Sequence, residues 1–443
     1  NVANDAAIKR GLNPGILTFS EALRDAGYRL AYAGKWHVSA EEDPCDRGWE
    51  ELLVTCGKDA FHDRRPEDWA RMARTPEPDR ARERGEVFRP GWGAYRLYGS
   101  RPNAGPVGYE HTHDYKVTCS AIQALPELAA SGRPWVLYVG PSGPHDPFII
   151  PEKFATIHDP EKAALPPSFH DTMDDKPRVY QRMRHMYWGQ LSEAEVRESI
   201  AHYWGYCAML DSMFGELLQA LDATGQAENT LVVYTSDHGD YCGAHGLYCK
   251  GVPAFREAYH VPCVVRWPRG LEQPDREVSE FLTHADFLPT FMQLAGLNPP
   301  EDIAGRSFLP FLRNEVAHDW PQEVHSQLNG VELYYSQRAV RTKKWRYVYN
   351  GFDIDEMYDL EADPHETVNL AAPSRHSQPL LHTGESATSA TFRPWPHLPP
   401  DLEAIRKDLL GRIWRFNKAH GDGHFNPYAT VALAPVGPMD AFA

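Results

Sequence analysis

Long apolar runs are missing from this chain. None approaches the roughly 18 residues that a membrane-spanning helix requires, so no such helix and no membrane partner are expected. Surplus positive charge is missing too: 45 Lys and Arg stand against 61 Asp and Glu, a net charge of −16. That excludes a general nucleic-acid binder and a polybasic membrane contact, while leaving room for a small cationic pocket. The seven cysteines (45, 56, 119, 207, 242, 249 and 263) are scattered, with no CxxC pair, which excludes a zinc-ribbon framework. Most are expected to be buried free thiols, which leans toward a reducing compartment. No internal repeat is visible. Neither an initiating Met nor a signal peptide precedes Asn1, so a cytoplasmic and a periplasmic location both stay open. What remains is an ordinary globular composition, 42% hydrophobic and 24% charged over 443 residues, enough for one large domain and a smaller one.

The most informative stretch is Leu231-Val-Val-Tyr-Thr-Ser-Asp-His-Gly-Asp240, followed by His245 and Lys250. Its first half is a β-branched apolar run that reads as a buried parallel strand. Its second half turns abruptly into ligand-type side chains, at the strand end where open α/β sheets place their sites. Neighbouring residues on a regular strand face opposite ways, so Asp237 and His238 share one metal only if the strand ends there, and Gly239 permits the turn.

Other strand ends carry related chemistry. Thr18 and Glu21 form a capping box for a helix over 17–27 that stops at Gly27. The strand Tyr28–Gly34 then leads into Gly34-Lys-Trp-His37. Lys35 and His37 share a face suited to an anion, and Trp36 points into the packing. Residues 59–115 lose all periodicity and read as a long insertion. Its His111 and His113 lack the carboxylate pattern a second metal site needs. A helix over 117–130 precedes a strand over 134–140. Its exit, Pro144-His-Asp-Pro147, holds His145 on a stiff loop, as a general acid requires. Residues 151–190 read as a rim, and Ser192 with Glu195 caps a long amphipathic helix to about Thr224. A hairpin over 336–350 and a strand over 355–360 suggest a change of style after Asn314. Residues 371–400 read as a linker and 401–419 as a helix. The expected organisation is a catalytic domain over 1–318, an α+β subdomain over 319–420 and a segment over 421–443. That last segment is either an arm in a homo-oligomer or a loose tail.

Taken together, Gly34-Lys-Trp-His37, Gly143-Pro-His-Asp-Pro147, Leu231–Asp240, His245-Gly-Leu through Lys250, and Met357-Tyr-Asp-Leu360 with Asp363-Pro-His-Glu366 resemble the sulfatase family of the alkaline phosphatase superfamily. The resemblance implies an α/β sandwich with a mainly parallel central sheet and a smaller C-terminal α+β part with an antiparallel sheet. It implies hydrolysis of a sulfate monoester, on a small molecule or a carbohydrate. By the same resemblance Asp237 and His238 are two metal ligands, and Lys35 and Lys250 contact sulfate oxygens. His145 with Lys250 serves the leaving oxygen, and His37 assists the nucleophile. The Asp-His pair is similar to the subgroup of choline sulfatases, iduronate sulfatases and phosphonate monoester hydrolases. It fits Ca²⁺, with Mn²⁺ as the alternative because one ligand is an imidazole.

One departure is plain. The family's nucleophile is a formylglycine made within Cys/Ser-x-Pro/Ala-x-Arg, and no cysteine of this sequence stands in such a motif. Cys119-Ser-Ala and Cys242-Gly-Ala begin it, but Gln123 and Gly246 stand where Arg belongs. The family's first strand, with its paired metal-binding Asp, is missing too, so the expectation is an N-terminally incomplete sequence that does not turn over as written. A phosphonate monoester or phosphodiester hydrolase and a non-catalytic binder of sulfated ligands are the alternatives.

Overall fold

The computed structural model describes residues 12–13, 15–39, 41–57, 66–76, 78–330, 335–351, 353–372 and 398–423. The linker expected over 371–400 and the segment after 421 therefore lie mostly outside the described residues. The elements that position the site are helix α1 (Phe19–Asp25), strand β1 (Arg29–Lys35), β2 (Glu50–Thr55), β3 (Glu86–Arg89), β4 (Gly93–Arg96), β5 (Tyr98–Arg101), helix α2 (His113–Ala130), β6 (Trp135–Gly140), β7 (Phe148–Pro151), helix α3 (Glu193–Ala223), β8 (Val232–Thr235), helix α4 (Arg256–Tyr259), β9 (Cys263–Arg266) and helix α5 (Phe287–Leu294). A second group follows: β10 (Glu323–Leu328), β11 (Gln337–Thr342), β12 (Trp345–Asn350), β13 (Glu356–Asp359) and helix α6 (Pro400–Ala419).

Strand β1 is the centre of a parallel sheet of order β2-β1-β6. It is apolar along nearly its whole length because both of its faces are covered. Leu30 and Tyr32 pack with Trp36, Trp49 and Leu23 against α1 and α5. Ala33, one residue out of phase, packs with Val117 and Ala121 of α2 on the other face. Each large side chain buried this way contributes about 1.5–3 kcal/mol. Both expected capping boxes are present: Thr18 with Glu21 opens α1, and Ser192 with Glu195 opens α3. Gly34 has a φ of +117°, and a Cβ there would lie 2.0 Å from the Gly140 carbonyl oxygen. The two strands thus close on each other just where Lys35 emerges.

Three expectations need correction. The run from Leu231 is not a parallel strand: β8 pairs antiparallel with β9, and Tyr234 and Thr235 at its end are exposed. A short apolar run carries no information on pairing direction, and the chain returns through α4 to run back alongside it. The insertion over 59–115 is not devoid of structure. It contains the β3–β4 hairpin and β5, which pairs in parallel with β7, and α2 begins at His113, within that range. The cysteines are all free, as expected, but Cys45, Cys56, Cys207 and Cys263 are exposed and the other three are half-buried. Among the described residues no helix is long and apolar enough to cross a membrane.

The C-terminal sheet has the antiparallel order β10-β11-β12-β13, one strand more than the sequence suggests. Helix α6 covers it, with Leu409, Leu410, Ile413 and Trp414 packed on Val340, Tyr347 and Met357. Fully buried Glu366 ties this sheet to the first layer: its carboxylate accepts from the Arg346 and Arg341 guanidinium groups and from the backbone N–H of Arg256 on α4. Removing one side of a buried ion pair strands the other, at a cost of about 3–5 kcal/mol. Glu366→Ala is therefore expected to lower unfolding stability by about that amount. Arg24→Ala, which breaks an exposed pair with Asp25, should stay within about 0.5 kcal/mol. Equal urea midpoints for the two variants would refute the tie.

Buried Asp355 gives this sheet a pH dependence. Burial pushes its carboxyl up to about 7, against the Tyr347 hydroxyl and Asn350 N–H that donate to it and lower it. The native state thus holds this proton more tightly than the unfolded chain, whose ordinary value is 3.8. The contribution is complete below about pH 4 and is lost as pH rises through about 7. Asp355→Asn should gain stability relative to the parent across that window, measured by paired urea titrations; a pH-independent difference would contradict it.

Candidate active site

Residues from three connections meet at the carboxyl ends of β1, β6 and β8. Lys35, the last residue of β1, extends its Nζ to 3.3 Å from Asp237 Oδ2, just past β8. His145, on the loop after β6, has its Nε2 2.6 Å from Lys250 Nζ. The His145 and His238 rings lie edge to face, 5.7 Å between centroids. His37 sits on the exposed lip. Desolvation first, then the Lys35 and Lys250 ammonium groups, push its imidazole down to about 4, although its side chain remains open to solvent. Thus Lys35, His145, Asp237, His238 and Lys250 are brought together and His37 borders them. His245 is not: it is fully buried, its Nδ1 is 2.8 Å from Asp171 Oδ2, and its ring stacks 3.7 Å from Phe255. His113 Nε2 lies 3.2 Å from the Thr55 hydroxyl and is not paired with any of these side chains.

The sequence Ser-Asp-His-Gly-Asp makes its own scaffold. The Ser236 hydroxyl donates to the His238 carbonyl, and Asp237 Oδ1 accepts from the His238 N–H. The Gly239 N–H donates to the Ala258 carbonyl, and a Cβ at 239 would lie 1.9 Å from the Glu257 carbonyl oxygen. Only glycine lets the loop lie that close to α4. Asp240 Oδ1 accepts from the N–H groups of Cys242 and Cys249, closing the loop that returns to Lys250. Burial, with Asp146 nearby, raises the Asp240 carboxyl to about 7.

Tautomers follow from the acceptors. His238 Nδ1 is 2.7 Å from the Gly239 carbonyl oxygen, and only a protonated nitrogen bonds a carbonyl. Its Nε2 is then a bare lone pair, 3.7 Å from Asp237 Oδ2. Desolvation, with Lys250 and Lys35, holds this imidazole below its ordinary value, so it is neutral at pH 7. A bare imidazole nitrogen and a carboxylate oxygen at that separation fit two positions around one divalent ion, with the carbonyl on Nδ1 as the outer support such ligands use. His145 follows the same logic: Nδ1 is 2.8 Å from the Asp146 carbonyl oxygen, so Nε2 accepts from the Lys250 ammonium.

Asp114 escaped the sequence reading. Buried in the first turn of α2, it accepts from the N–H groups of Ser142 and Gly143 and from the Tyr206 hydroxyl, anchoring the loop that carries His145. The only signal was its place two residues after the cap Thr112, which reads as an ordinary helix-start carboxylate. Asp146 was seen only as part of a motif. It is buried against Tyr95 and Cys249.

Known proteins resemble this chain over most of its length. The family model Sulfatase matches residues 3–297, and one described as N-sulphoglucosamine sulphohydrolase, C-terminal, matches residues 243–383. A choline-sulfatase of Rhizobium meliloti is 30% identical over 435 residues, covering 93% of this chain and 78% of its own. A phosphonate monoester hydrolase from Silicibacter pomeroyi superposes with a TM-score of 0.67 at 20% identity, over 93% of this chain and 82% of that one. A structure in complex with its substrate D-glucosamine-2-N,6-O-disulfate superposes with a TM-score of 0.66 at 18% identity, over 94% and 84%. These solved structures share the fold, with its mainly parallel central sheet.

The geometry yields a spectroscopic prediction. In ¹⁵N-histidine-labelled protein at pH 7, His238 should appear as the neutral Nδ1–H tautomer. Added Ca²⁺ or Mn²⁺ should perturb its Nε2 and leave the His245 signals in place. A protonated Nε2 on His238, or no response to either ion, would count against the metal assignment.

Proposed function

This chain belongs to the sulfatase family, and on that footing we propose that it hydrolyses a sulfate monoester to an alcohol and sulfate, with Asp237 and His238 as two ligands of one divalent ion, Ca²⁺ first and Mn²⁺ second. The observation that carries this reading is the pairing of Lys35 with Asp237 and of Lys250 with His145 in one cleft. A bound divalent ion would supply Lewis-acid stabilisation of charge on the sulfuryl oxygens. Lys35 and Lys250 bind those oxygens as fixed cations, and such preorganised charge is often the largest catalytic contribution. His145 Nε2 and Lys250 Nζ hold one proton between them, in reach of the oxygen that leaves with the alcohol. His37, neutral at pH 7, accepts a proton at the lip of the cleft.

No cysteine among the 443 residues stands in the family's nucleophile motif, and Ser20, which fits its spacing with Ala22 and Arg24, is buried within α1, so on this reading the attacking group comes from outside them. The 443-residue chain alone then binds a sulfate ester without cleaving it. The choline-sulfatase likeness makes choline sulfate the first small-molecule ester to try, with sulfated sugars next. The phosphonate monoester hydrolase likeness supports a second reading, hydrolysis of phosphonate monoesters or phosphodiesters in the same cleft. Parallel assays of the protein, supplied with a nucleophile segment, against aryl sulfate, phosphodiester and phosphonate esters separate the two. Dominant phosphoester cleavage overturns the sulfatase reading, and binding without turnover in every form makes the chain a sulfated-ligand binder. In the competent protein, Lys250→Ala and His145→Ala should each slow turnover on the order of 10²–10⁴-fold. Parental rates in both variants would remove them from the mechanism.

A further inference from the structure

On the side of His145 away from Lys250 lies a second cluster, whose Asp146 and Cys249 the hydrolysis does not use. A ring nitrogen of His145, a carboxylate oxygen of Asp146 and the sulfur of Cys249 all lie within 4.8 Å of one another. Nδ1 is the nitrogen on that side, 3.0 Å from Asp146 Oδ1. The Asp146 side chain is only 6% exposed, and its Oδ1 is buried without a well-aligned hydrogen bond, since the Nδ1–H goes to the Asp146 carbonyl and the Cys249 thiol lies beside the carboxylate. Its other oxygen is taken by the Tyr95 hydroxyl. Cys249 is fixed in place: its N–H donates to Asp240 Oδ1, its carbonyl accepts from the Tyr241 N–H, and its φ is +62°.

We propose that His145 Nδ1, Asp146 Oδ1 and Cys249 Sγ form a separate binding site for a thiophilic divalent cation of the Zn²⁺ class, distinct from the oxygen-rich site at Asp237 and His238.

The donor set decides the ion. One thiolate, one imidazole and one carboxylate are the ligands that Zn²⁺ takes in sites with an open fourth position, and Ca²⁺ does not use sulfur. Binding would move the ring proton from Nδ1 to Nε2, leaving Nδ1 free to ligate, and would release the Sγ proton, which the cation replaces. The surroundings favour it. Asp146 and Asp240 bring carboxylates close together in a buried place, and burial with Asp146 pushes the Cys249 thiol up to about 12, against the opposing pull of Lys250. Lys250 faces the opposite ring nitrogen. An ion here engages the imidazole that faces Lys250, which couples the site to the cleft without touching Lys35 or Asp237.

The test is a Co²⁺ titration of the chelator-stripped 443-residue chain. The expected result is one equivalent bound with near-ultraviolet thiolate-to-cobalt charge-transfer absorption, displaced by Zn²⁺ and not by Ca²⁺. The absorption should vanish in Cys249→Ser and persist in Asp237→Asn, with circular dichroism confirming that each variant folds. No charge-transfer absorption, its survival in Cys249→Ser, or its loss in Asp237→Asn overturns the proposal. Should Cys249→Ser not fold, zinc X-ray absorption on the parent at one equivalent decides: one sulfur at about 2.3 Å supports the site, and a shell of nitrogen and oxygen alone overturns it.

Discussion

Two ammonium groups and three imidazoles crowd into one cleft, and like charges at such range are expensive to hold together. At an effective dielectric of about 20, two unit charges 4 Å apart repel by about 4 kcal/mol. The structure offsets this in two ways. Asp237 stands beside Lys35, and Asp146 stands beside His145. The imidazoles of His37 and His238 are held in their neutral forms by desolvation and by the lysines themselves. The lysines therefore face an anionic ligand, while the rings keep lone pairs for a proton or a metal. The same balance shows how a chain with a net charge of −16 can present two lysines to an anion: a local arrangement of a few side chains decides what a ligand meets.

The fold serves that balance by bringing strand ends close together. β1 reaches the cleft between two neighbours and is packed on both faces, so Lys35 leaves a rigid base. The approach of β1 to β6 at Gly34, and of the Asp237 loop to α4 at Gly239, removes the space that side chains would otherwise fill. Asp114 does for the His145 loop what the glycines do for the strands, with hydrogen bonds in place of contact.

Much of this was legible in the residues. The double burial of β1 follows from its apolar run, the two capping boxes from Thr18/Glu21 and Ser192/Glu195, and the opposite directions of Lys35 and Trp36 from the strand period. The direction of β8 was not legible, because four apolar residues look alike in parallel and antiparallel pairs. The β3–β4 hairpin was hidden by Arg, Gly and Glu residues that a short, half-exposed ladder tolerates. Burial of the cysteines was misjudged from their sequence neighbours, since exposure depends on which face the tertiary packing covers. His245 stands in the same motif as Lys250 yet turns inward, a choice made by Asp171, far away in the chain, together with Phe255. Asp114 was unreadable because a first-turn carboxylate looks the same whether it faces water or a catalytic loop.

Glu366 has a consequence for how this protein's variants are interpreted. It touches none of the cleft residues, yet it holds the N–H of Arg256, six residues after Lys250, while gripping two arginines of the far sheet. A screen that scores only activity would rank this glutamate beside Lys250 and His145, because loosening α4 displaces both the Gly239 loop and the segment bearing Lys250. The distinction between a residue that meets the ligand and one that holds the wall in place is thus invisible to a survival count, and only a stability measurement made in parallel restores it.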